Sequence, residues 1–299
     1  MLSYFSPNCF SIENIDKSVN NLLNKVDQAE PSADTLSNKQ TAWNVIINPI
    51  PAKTKGEAYL PLAKAALVQD FNSGEYLLEN NVDSRLPIAS LTKLMTAYVV
   101  LKETSASQIF VVPDVSTQPG DSLTGLQVGE KLTVESLLKG LLITSGSDSA
   151  LTLAVGIAGS QKTFIDKMNL AASELQLTNS HFANPVGWDD VNNYSSAKDL
   201  TILSNVLLRN ENFRKIVSTK YSSILTQNGR RIPLSNTNLL LGSNGYIGLK
   251  TGYTPAAGEC LIALNSTNNH EVLSIVIGSP DRFGQTSSLL SWINSSFLW

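Results

Sequence analysis

Three short motifs in a fixed order constrain this 299-residue chain more than any other feature. They are Ser90-Leu91-Thr92-Lys93, Ser145-Gly146-Ser147 and Lys250-Thr251-Gly252. Taken singly, each has an ordinary structural explanation, such as a helix cap, a solvated lysine, or a strand that leads into a turn. A Ser-x-x-Lys pattern arises by chance roughly once in a few hundred residues, so only the ordered combination is specific. The combination predicts that distant segments of the chain meet at one site.

The first motif predicts a nucleophile and a base on one helix face. Residues three apart lie on the same side of a helix, so Ser90 and Lys93 can come within hydrogen-bond reach. Pro87 precedes the motif, and an apolar stripe at helical spacing predicts a buried helix over Leu91–Lys102. A lysine desolvated in such a place can lose its proton near neutral pH and activate the serine without a histidine. The helix N-terminus would direct free N–H groups at Ser90, where an oxyanion would form.

Hydrophobic periodicity predicts strands near both ends of the chain and helices between them. The predicted strands are Ala65–Asp70, Glu75–Glu79, Tyr246–Lys250, Cys260–Asn265 and Val272–Ile277. The predicted helices are Leu91–Lys102, Val134–Ile143, Ser149–Ala158, Gln161–Leu175 and Ala197–Leu208, with a closing helix over 281–299 that packs Leu289, Leu290, Trp292 and Ile293 inward. This order predicts an α+β fold of two subdomains, with an antiparallel sheet flanked by helices and an inserted helical subdomain. The site would lie at the junction, between the Ser90 helix and the Lys250 strand.

Composition favours a single globular enzyme and argues against a nucleic-acid partner. The chain is 42% hydrophobic and 16% charged, and its formal net charge is -3. Residues 1–45 are rich in Ser, Asn, Asp and Lys, which predicts a poorly ordered arm or tether ahead of a domain over 46–299. The opening residues show no signal peptide, and no run of about 18 apolar residues occurs. A disulfide between Cys9 and Cys260 is not expected, because Cys260 follows Gly258 in a predicted core strand.

The segments around the motifs resemble the D-alanyl-D-alanine carboxypeptidases, the low-molecular-mass penicillin-binding proteins of serine peptidase family S11. The resembling segments are 86–97, 137–150 and 248–261 around the motifs, 65–70 and 73–81 before them, and 184–188, 194–200 and 236–238 between them. The resemblance covers about residues 60 to 292 and implies a β-lactamase/transpeptidase-like fold. Many relatives carry a further C-terminal β-domain and an anchoring helix of about a hundred residues together. This sequence stops at Trp299, too early to include those elements. We therefore expect residues 46–299 to be a D,D-peptidase catalytic domain without that β-domain and without membrane anchoring from the C-terminal end.

The resemblance implies catalytic roles for the first motif and the start of the second. Ser90 would be the acylated nucleophile, Lys93 its general base, and Ser145 a relay that passes a proton to the leaving amine. The backbone N–H groups of Ser90 and Tyr253 would form the oxyanion hole. No metal and no cofactor is implied.

The resemblance implies substrate-binding roles for the remaining motif residues and for Tyr253. Lys250 would supply positive charge, Thr251 would bind the terminal carboxylate, and Gly252 would leave room for a peptide along the strand. The family usually has Asn where this chain has Ser147, which is shorter and has one hydroxyl donor. A second registration, Ser147-Asp148-Ser149, fits the flanking residues less well.

The implied activity is removal of the terminal D-alanine from peptidoglycan stem peptides through an acyl-enzyme, with β-lactam antibiotics as further ligands. Three alternatives stay open: a D,D-endopeptidase acting on cross-links, a class A β-lactamase, and a non-catalytic peptidoglycan- or penicillin-binding relative. A class A β-lactamase needs a glutamate that activates the deacylating water, but Glu174 lies in a predicted helix. The substrates imply an extracytoplasmic location, in the periplasm or cell envelope.

Overall fold

An antiparallel sheet of five strands forms the framework of the computed structural model, which describes residues 50–54, 59–114, 117–267 and 270–299. The strands are β1 (Ala52–Lys53), β2 (Ala65–Asp70), β3 (Tyr76–Asn80), β4 (Ile109–Val111), β5 (Lys131–Thr133), β6 (Tyr221–Leu225), β7 (Arg231–Ser235), β8 (Tyr246–Thr254), β9 (Gly258–Thr267), β10 (His270–Ser279) and β11 (Phe297–Leu298). The main sheet has the order β3-β2-β10-β9-β8, and the pairs β1-β11, β4-β5 and β6-β7 are separate two-stranded sheets. Strands from the two ends of the sequence therefore share one sheet, as the sequence predicts.

The helices form the second component of the fold. They are α1 (Lys93–Glu103), α2 (Val134–Ile143), α3 (Ser147–Ala158), α4 (Gln161–Glu174), α5 (Ala197–Leu208), α6 (Glu211–Val217) and α7 (Arg282–Ser296), and a 3-10 turn over Ala89–Thr92 precedes α1. Most begin at a side-chain cap: Ser160, Ser196 and Asn210 accept the N–H three residues on. Such caps satisfy orphan backbone donors and fix where each helix begins.

The sheet is buried on both faces, and side-chain alternation assigns each residue to one face. Leu67 of β2 and its neighbour Ile275 of β10 face the cluster formed with the helical subdomain. Ala66 and Val68 face the opposite way and pack with Ile293 of α7. The strands of the sheet centre are consequently apolar at successive positions, rather than alternating between apolar and polar residues.

The fold confirms the predicted sheet and the five predicted helices, and it corrects some bounds. The helix predicted from Leu91 begins at Lys93, because the 3-10 turn occupies the positions before it. The closing helix ends at Ser296, and the chain continues as β11, which pairs with β1. Within α7, Leu289 and Ile293 are fully buried, as expected, whereas Trp292 is half-buried.

Short elements were missed by the sequence analysis. These are β1, the hairpins β4–β5 and β6–β7, and helix α6. The predicted arm over 1–45 and Cys9 lie outside the described residues. Within the described part of the chain, no helix combines the length and apolar character needed to cross a bilayer.

Candidate active site

The 3-10 turn over Ala89–Thr92 carries most of the first motif on a tight helical segment. Ser90 lies in the 3-10 turn, and the N–H of Lys93 donates to the carbonyl of Ser90. Because side chains at i and i+3 eclipse in a 3-10 turn, the two side chains are stacked more directly than an α-helix would stack them. Lys93 Nζ lies 2.9 Å from Ser90 Oγ. This is the contact that the sequence predicts, formed by a tighter turn than the one predicted.

Lys93 is a buried lysine with a depressed pKa. Its side chain is 1% exposed, and its second polar contact is the carbonyl oxygen of Val186 at 2.8 Å. Burial lowers the pKa of Lys93 to about 7, although the negative charges of Asp121 and Asp148 act to raise it. Desolvation therefore outweighs the carboxylates, and a large share of the amine is neutral at neutral pH. A neutral amine 2.9 Å from a hydroxyl can accept its proton.

A second serine–lysine pair lies beside the first. Lys250 Nζ donates to Ser145 Oγ at 2.7 Å and to the carbonyl of Thr251 at 2.9 Å, with both partners buried. Ser145 adopts the left-handed region at φ 61°, which a non-glycine residue enters at a cost of about 1 kcal/mol. The strained backbone directs the hydroxyl from the loop before α3 toward strand β8.

The pKa of Lys250 lies well below its usual value. Burial is the largest cause, and the positive charges of Lys93 and Arg282 lower it further. No carboxylate is among the causes of this shift, in contrast to Lys93. An anion bound beside Lys250 would reverse the shift, since an opposite charge favours the ammonium form.

The contacts of Asp148 decide the registration of the second motif. Its carboxylate accepts the backbone N–H groups of Thr124, Gly125 and Leu126 at 2.8 to 2.9 Å. Ser149 Oγ lies 2.7 Å from Thr124 Oγ1. Both side chains are occupied in holding the loop over 124–126, while Ser145 contacts Lys250. The geometry therefore favours Ser145-Gly146-Ser147 over the registration Ser147-Asp148-Ser149.

Ser147 is the first residue of α3 and is 1% exposed. Its N–H donates to the carbonyl of Ser122 at 2.9 Å. Among the described residues its hydroxyl makes no hydrogen bond. The structure thus places Ser147 two residues after Ser145 at the start of α3, and the predicted role of its hydroxyl toward a substrate stays a prediction.

Strand β8 forms the wall of the site opposite the 3-10 turn that carries Ser90. A Cβ on Gly252 would lie 3.1 Å from Ala89 Cβ, Ile88 O and Ser90 N. The sequence analysis ascribed this glycine to substrate approach, and the structure adds a second reason, which is close packing of the strand on the turn. Tyr253, the next residue, has a side chain that is 62% exposed at the site margin.

The sequence analysis missed two side chains at this wall. Thr237 Oγ1 lies 2.6 Å from Thr251 Oγ1, and Arg282 Nη1 donates to the carbonyl of Gly252 at 2.9 Å. Arg282 Nε is buried and has no hydrogen-bond partner among the described residues. The segment 236–238 had been singled out without a role for Thr237, whereas a lone arginine at a helix start carries no local signal. A buried donor without a partner favours an anionic ligand at this point.

The described residues contain no cluster of three or more His, Cys, Asp or Glu side chains that could hold a metal ion. Cys260 is buried, and burial raises the pKa of its thiol to about 11, which keeps it protonated. The polar side chains described above at the two serine–lysine pairs and at strand β8 are hydroxyl, amine and guanidinium groups.

The sheet with its inserted helical subdomain, and the two serine–lysine pairs at their junction, match the penicillin-binding and transpeptidase fold. The chain belongs to peptidase family S11, D-alanyl-D-alanine carboxypeptidase, whose model matches residues 53–281. This confirms the family and the fold predicted from the sequence.

Relatives and solved structures agree with that assignment. D-alanyl-D-alanine carboxypeptidase DacF of Bacillus subtilis is 35% identical over 79% of this chain and 63% of its own. The D-alanyl-D-alanine carboxypeptidase of a Streptomyces strain, K15, is 35% identical over 75% of this chain and 84% of its own. The crystal structure of the Streptomyces K15 DD-transpeptidase has a TM-score of 0.75 at 30% identity and covers 80% of this chain and 100% of that chain. An evolved putative penicillin-binding protein homolog from Mycobacterium tuberculosis has a TM-score of 0.75 at 28% identity, over 82% of this chain and 96% of that chain.

The matched lengths differ among these relatives. This chain spans 63% of the length of the Bacillus protein and 60% of the length of DacC from Escherichia coli.

Proposed function

We propose that this protein is a serine-type D-Ala-D-Ala carboxypeptidase, which removes the terminal D-alanine from peptidoglycan stem peptides through an acyl-enzyme. The observation that carries the proposal is the 2.9 Å contact between the Nζ of the buried Lys93 and Ser90 Oγ, with the pKa of Lys93 about 7. Membership of the family supports the substrate class. Residues 46–299 are then the catalytic domain.

Acylation uses the first pair of residues. Lys93 takes the Ser90 hydroxyl proton as Oγ attacks the carbonyl carbon of the penultimate D-alanine. The N–H groups of Ser90 and Tyr253 stabilise the oxyanion, each contributing about 3 kcal/mol if they act as donors do in other acyl-transfer sites. The close approach of Gly252 to Ser90 N supports this arrangement, since it brings β8 against the turn.

Breakdown of the tetrahedral intermediate uses the second pair. Ser145 donates its proton to the leaving amine of D-alanine and is reprotonated from the lysines beside it. The 2.7 Å contact between Ser145 Oγ and Lys250 Nζ supports this relay. Water then attacks the acyl group on Ser90 and releases the shortened peptide.

The terminal carboxylate of the substrate binds at the wall formed by β8 and the start of α7. Thr251 supplies a hydroxyl, while Lys250 and Arg282 supply positive charge. The depressed pKa of Lys250 and the partnerless Nε of Arg282 support an anion here, because a carboxylate would offset both. β-Lactam antibiotics, which carry a carboxylate, are expected at the same place.

Two alternatives share the acylation step and differ in later steps. The Streptomyces K15 protein is described both as a carboxypeptidase and as a DD-transpeptidase, names that differ in the acceptor of the acyl group. An endopeptidase would cleave cross-links in place of a free terminus. A rate comparison between peptides with a free and a blocked carboxylate separates the carboxypeptidase from the endopeptidase.

The remaining alternatives have less support. Glu174 ends helix α4 and pairs with Lys102 at the surface, so it is not free to activate a deacylating water as a class A β-lactamase requires. A non-catalytic relative would not need a lysine pKa near 7. The substrate class implies that the protein acts in the periplasm or cell envelope, with no nucleic-acid partner.

The deciding experiment is labelling with a fluorescent penicillin, with wild type beside Ser90→Ala. We expect a covalent adduct on Ser90 in the wild type and none in the variant, and release of D-alanine from a D-alanyl-D-alanine peptide by the wild type alone. An adduct mapped by mass spectrometry to another residue, or no adduct at high drug concentration, would rule out the proposed nucleophile.

A further inference from the structure

The segment over 184–188, which we call the 184–188 turn, is folded around one side chain. Asn184 Oδ1 accepts the backbone N–H groups of Val186, Gly187 and Trp188 at 3.2, 2.6 and 3.0 Å. Its Nδ2 donates to the carbonyl of Trp188 at 3.2 Å. The residue is 7% exposed, and its bonds to the N–H groups of Val186 and Gly187 are buried, whereas the two bonds to Trp188 are partly buried. A single amide thus fixes the path of four residues.

The 184–188 turn contacts the helix of the general base at two places. Its Val186 carbonyl accepts from Lys93 Nζ at 2.8 Å. Its Pro185 carbonyl accepts from Thr96 Oγ1 at 2.7 Å, three residues further along the same helix face. The turn is therefore the lid that keeps water from Lys93 on this side, and its position depends on Asn184.

The same turn also contacts the nucleophile segment and a charged neighbour of the base. Gly187 has φ 99°, and a Cβ there would lie 2.0 Å from the carbonyl oxygen of Ala89, the residue before Ser90. Trp188 Nε1 donates to Asp121 Oδ1 at 2.9 Å. The 184–188 turn thus contacts Lys93, the backbone beside Ser90 and Asp121.

We propose that Asn184 is a positioning residue for the acylation step, because its side chain folds the 184–188 turn that encloses Lys93 and abuts the turn of Ser90. This inference rests on the proposed function, in which Lys93 is the base. Asn184 makes no contact with the reacting hydroxyl and acts through the Val186 carbonyl and the Ala89 backbone.

Loosening the turn changes the environment of Lys93 in a defined direction. The charged groups that act on Lys93 are Asp121, Asp148 and Lys250, and burial is the dominant influence. If water enters beside Lys93, the ammonium form is better solvated and the pKa rises toward the ordinary lysine value. The fraction of free amine at neutral pH then falls, and the acid limb of the acylation rate moves to higher pH.

The test measures the second-order rate of acylation by penicillin against pH in four proteins: wild type, Asn184→Ala, Asn184→Asp and Asn210→Ala. Asn210 caps α6 by accepting the N–H of Phe213. Asn210→Ala therefore lowers the stability of the fold through the loss of a helix cap, and it leaves the 184–188 turn intact. Thermal unfolding of all four gives the matched stability scale.

We expect Asn184→Ala to slow acylation at pH 7 about fivefold and to move the acid limb up by about one pH unit. Asn184→Asp keeps an acceptor for the three N–H groups, so its rate at the plateau should stay within about threefold of wild type, while its negative charge moves the limb upward. Asn210→Ala should lose stability and keep the wild-type limb.

A wild-type limb in folded Asn184→Ala overturns the inference, as does an equal shift in Asn210→Ala, which would show a general loosening. Should Asn184→Ala fail to fold, Asn184→Ser is measured in its place, because serine is uncharged and too short to hold all four bonds of the amide; a wild-type limb in that variant overturns the inference. A wild type that penicillin does not label would overturn the proposed function itself, whereas a labelled wild type with an unmoved limb in the Asn184 variants overturns only the positioning role.

Discussion

The two serine–lysine pairs of the site are built in different ways. Ser90 and Lys93 are 3 residues apart and meet within one helical turn, whereas Ser145 and Lys250 are 105 residues apart and meet across the junction of strand and helix. The first pair is assembled locally, within one turn of the chain. The second exists only when the whole fold is in place.

The charges that surround the two lysines also differ. The charges of two carboxylates oppose the desolvation of Lys93, and its pKa stays near 7. The charges that act on Lys250 are positive, and its pKa falls well below the ordinary value. We therefore expect Lys93 to act as the base, and we expect the ammonium form of Lys250 to be favoured when an anionic substrate binds beside it.

The largest expected effect tests the base of the first pair. Lys93→Ala should reduce the rate of acylation by penicillin about a thousandfold or more, because the Ser90 hydroxyl is left at its unactivated pKa. Stopped-flow kinetics measures the acylation rate, and circular dichroism shows whether the variant is folded. Normal labelling in this variant would show that Lys93 is not the base.

The next effect tests the anion site of the second pair. A peptide that ends in a D-alanine amide should react about a hundredfold more slowly than the free acid, because the donors at Lys250 and Thr251 are left unpaired. Since the anion raises the pKa of Lys250, binding of the acid should take up a proton, and its KM should increase with pH. The KM of the amide should respond less.

Steady-state kinetics of the matched peptides in wild type and Arg282→Gln complete this test. The variant should lose most of the preference for the acid. Equal rates for acid and amide in the wild type would favour an endopeptidase or esterase and would place the carboxylate away from Thr251.

A smaller effect concerns stability. The pKa of Lys93 falls from 10.5 to about 7 on folding, so between these values the unfolded state binds more protons and the free energy of unfolding rises with pH from this group. At pH 7 the buried amine destabilises the fold, and Lys93→Met should stabilise it by about 2 kcal/mol, or roughly thirtyfold in the unfolding constant.

Urea unfolding at pH 7 and pH 9.5 measures this difference. Lys162→Met is the matched control, because its side chain is 87% exposed. A stability gain for Lys93→Met that is the same at both pH values, or one that the control reproduces, would contradict the depressed pKa.

What could be predicted from the sequence follows the same division between local and distant contacts. Helices Val134–Ile143 and Ala197–Leu208 were predicted with their bounds, since each has apolar periodicity over several turns and a cap. The Ser90–Lys93 contact followed from spacing alone. Hairpin β6–β7 was missed because its strands have five residues each and only partial burial.

The tertiary parts of the site carried no comparable signal. The motif order predicted that Lys250 and Ser145 meet, but only through the resemblance to a family. Arg282 is a lone arginine one residue after a helix cap, and its approach to Gly252 depends on how α7 crosses the sheet. Asn184 lay in a segment singled out for its resemblance, yet its four hydrogen bonds arise from a turn that no periodicity describes.

The smallest expected effect concerns Ser147, which lies two residues beyond the relay serine and departs from the family. An asparagine there would both donate to the substrate carbonyl and accept from a lysine, whereas the Ser147 hydroxyl makes no hydrogen bond among the described residues. The missing bond is worth roughly 1 kcal/mol in a partly desolvated site, so Ser147→Asn should raise the acylation rate about tenfold or leave it no worse. Ser147→Ala should change it little. The measurement is the second-order rate with a D-alanyl-D-alanine peptide and with penicillin in all three proteins. Ser147 is buried at the start of α3. A large loss of acylation rate in Ser147→Asn at unchanged thermal stability would therefore mean that the space between the two serine–lysine pairs is shaped around serine, and that acylation does not need an asparagine amide at this position.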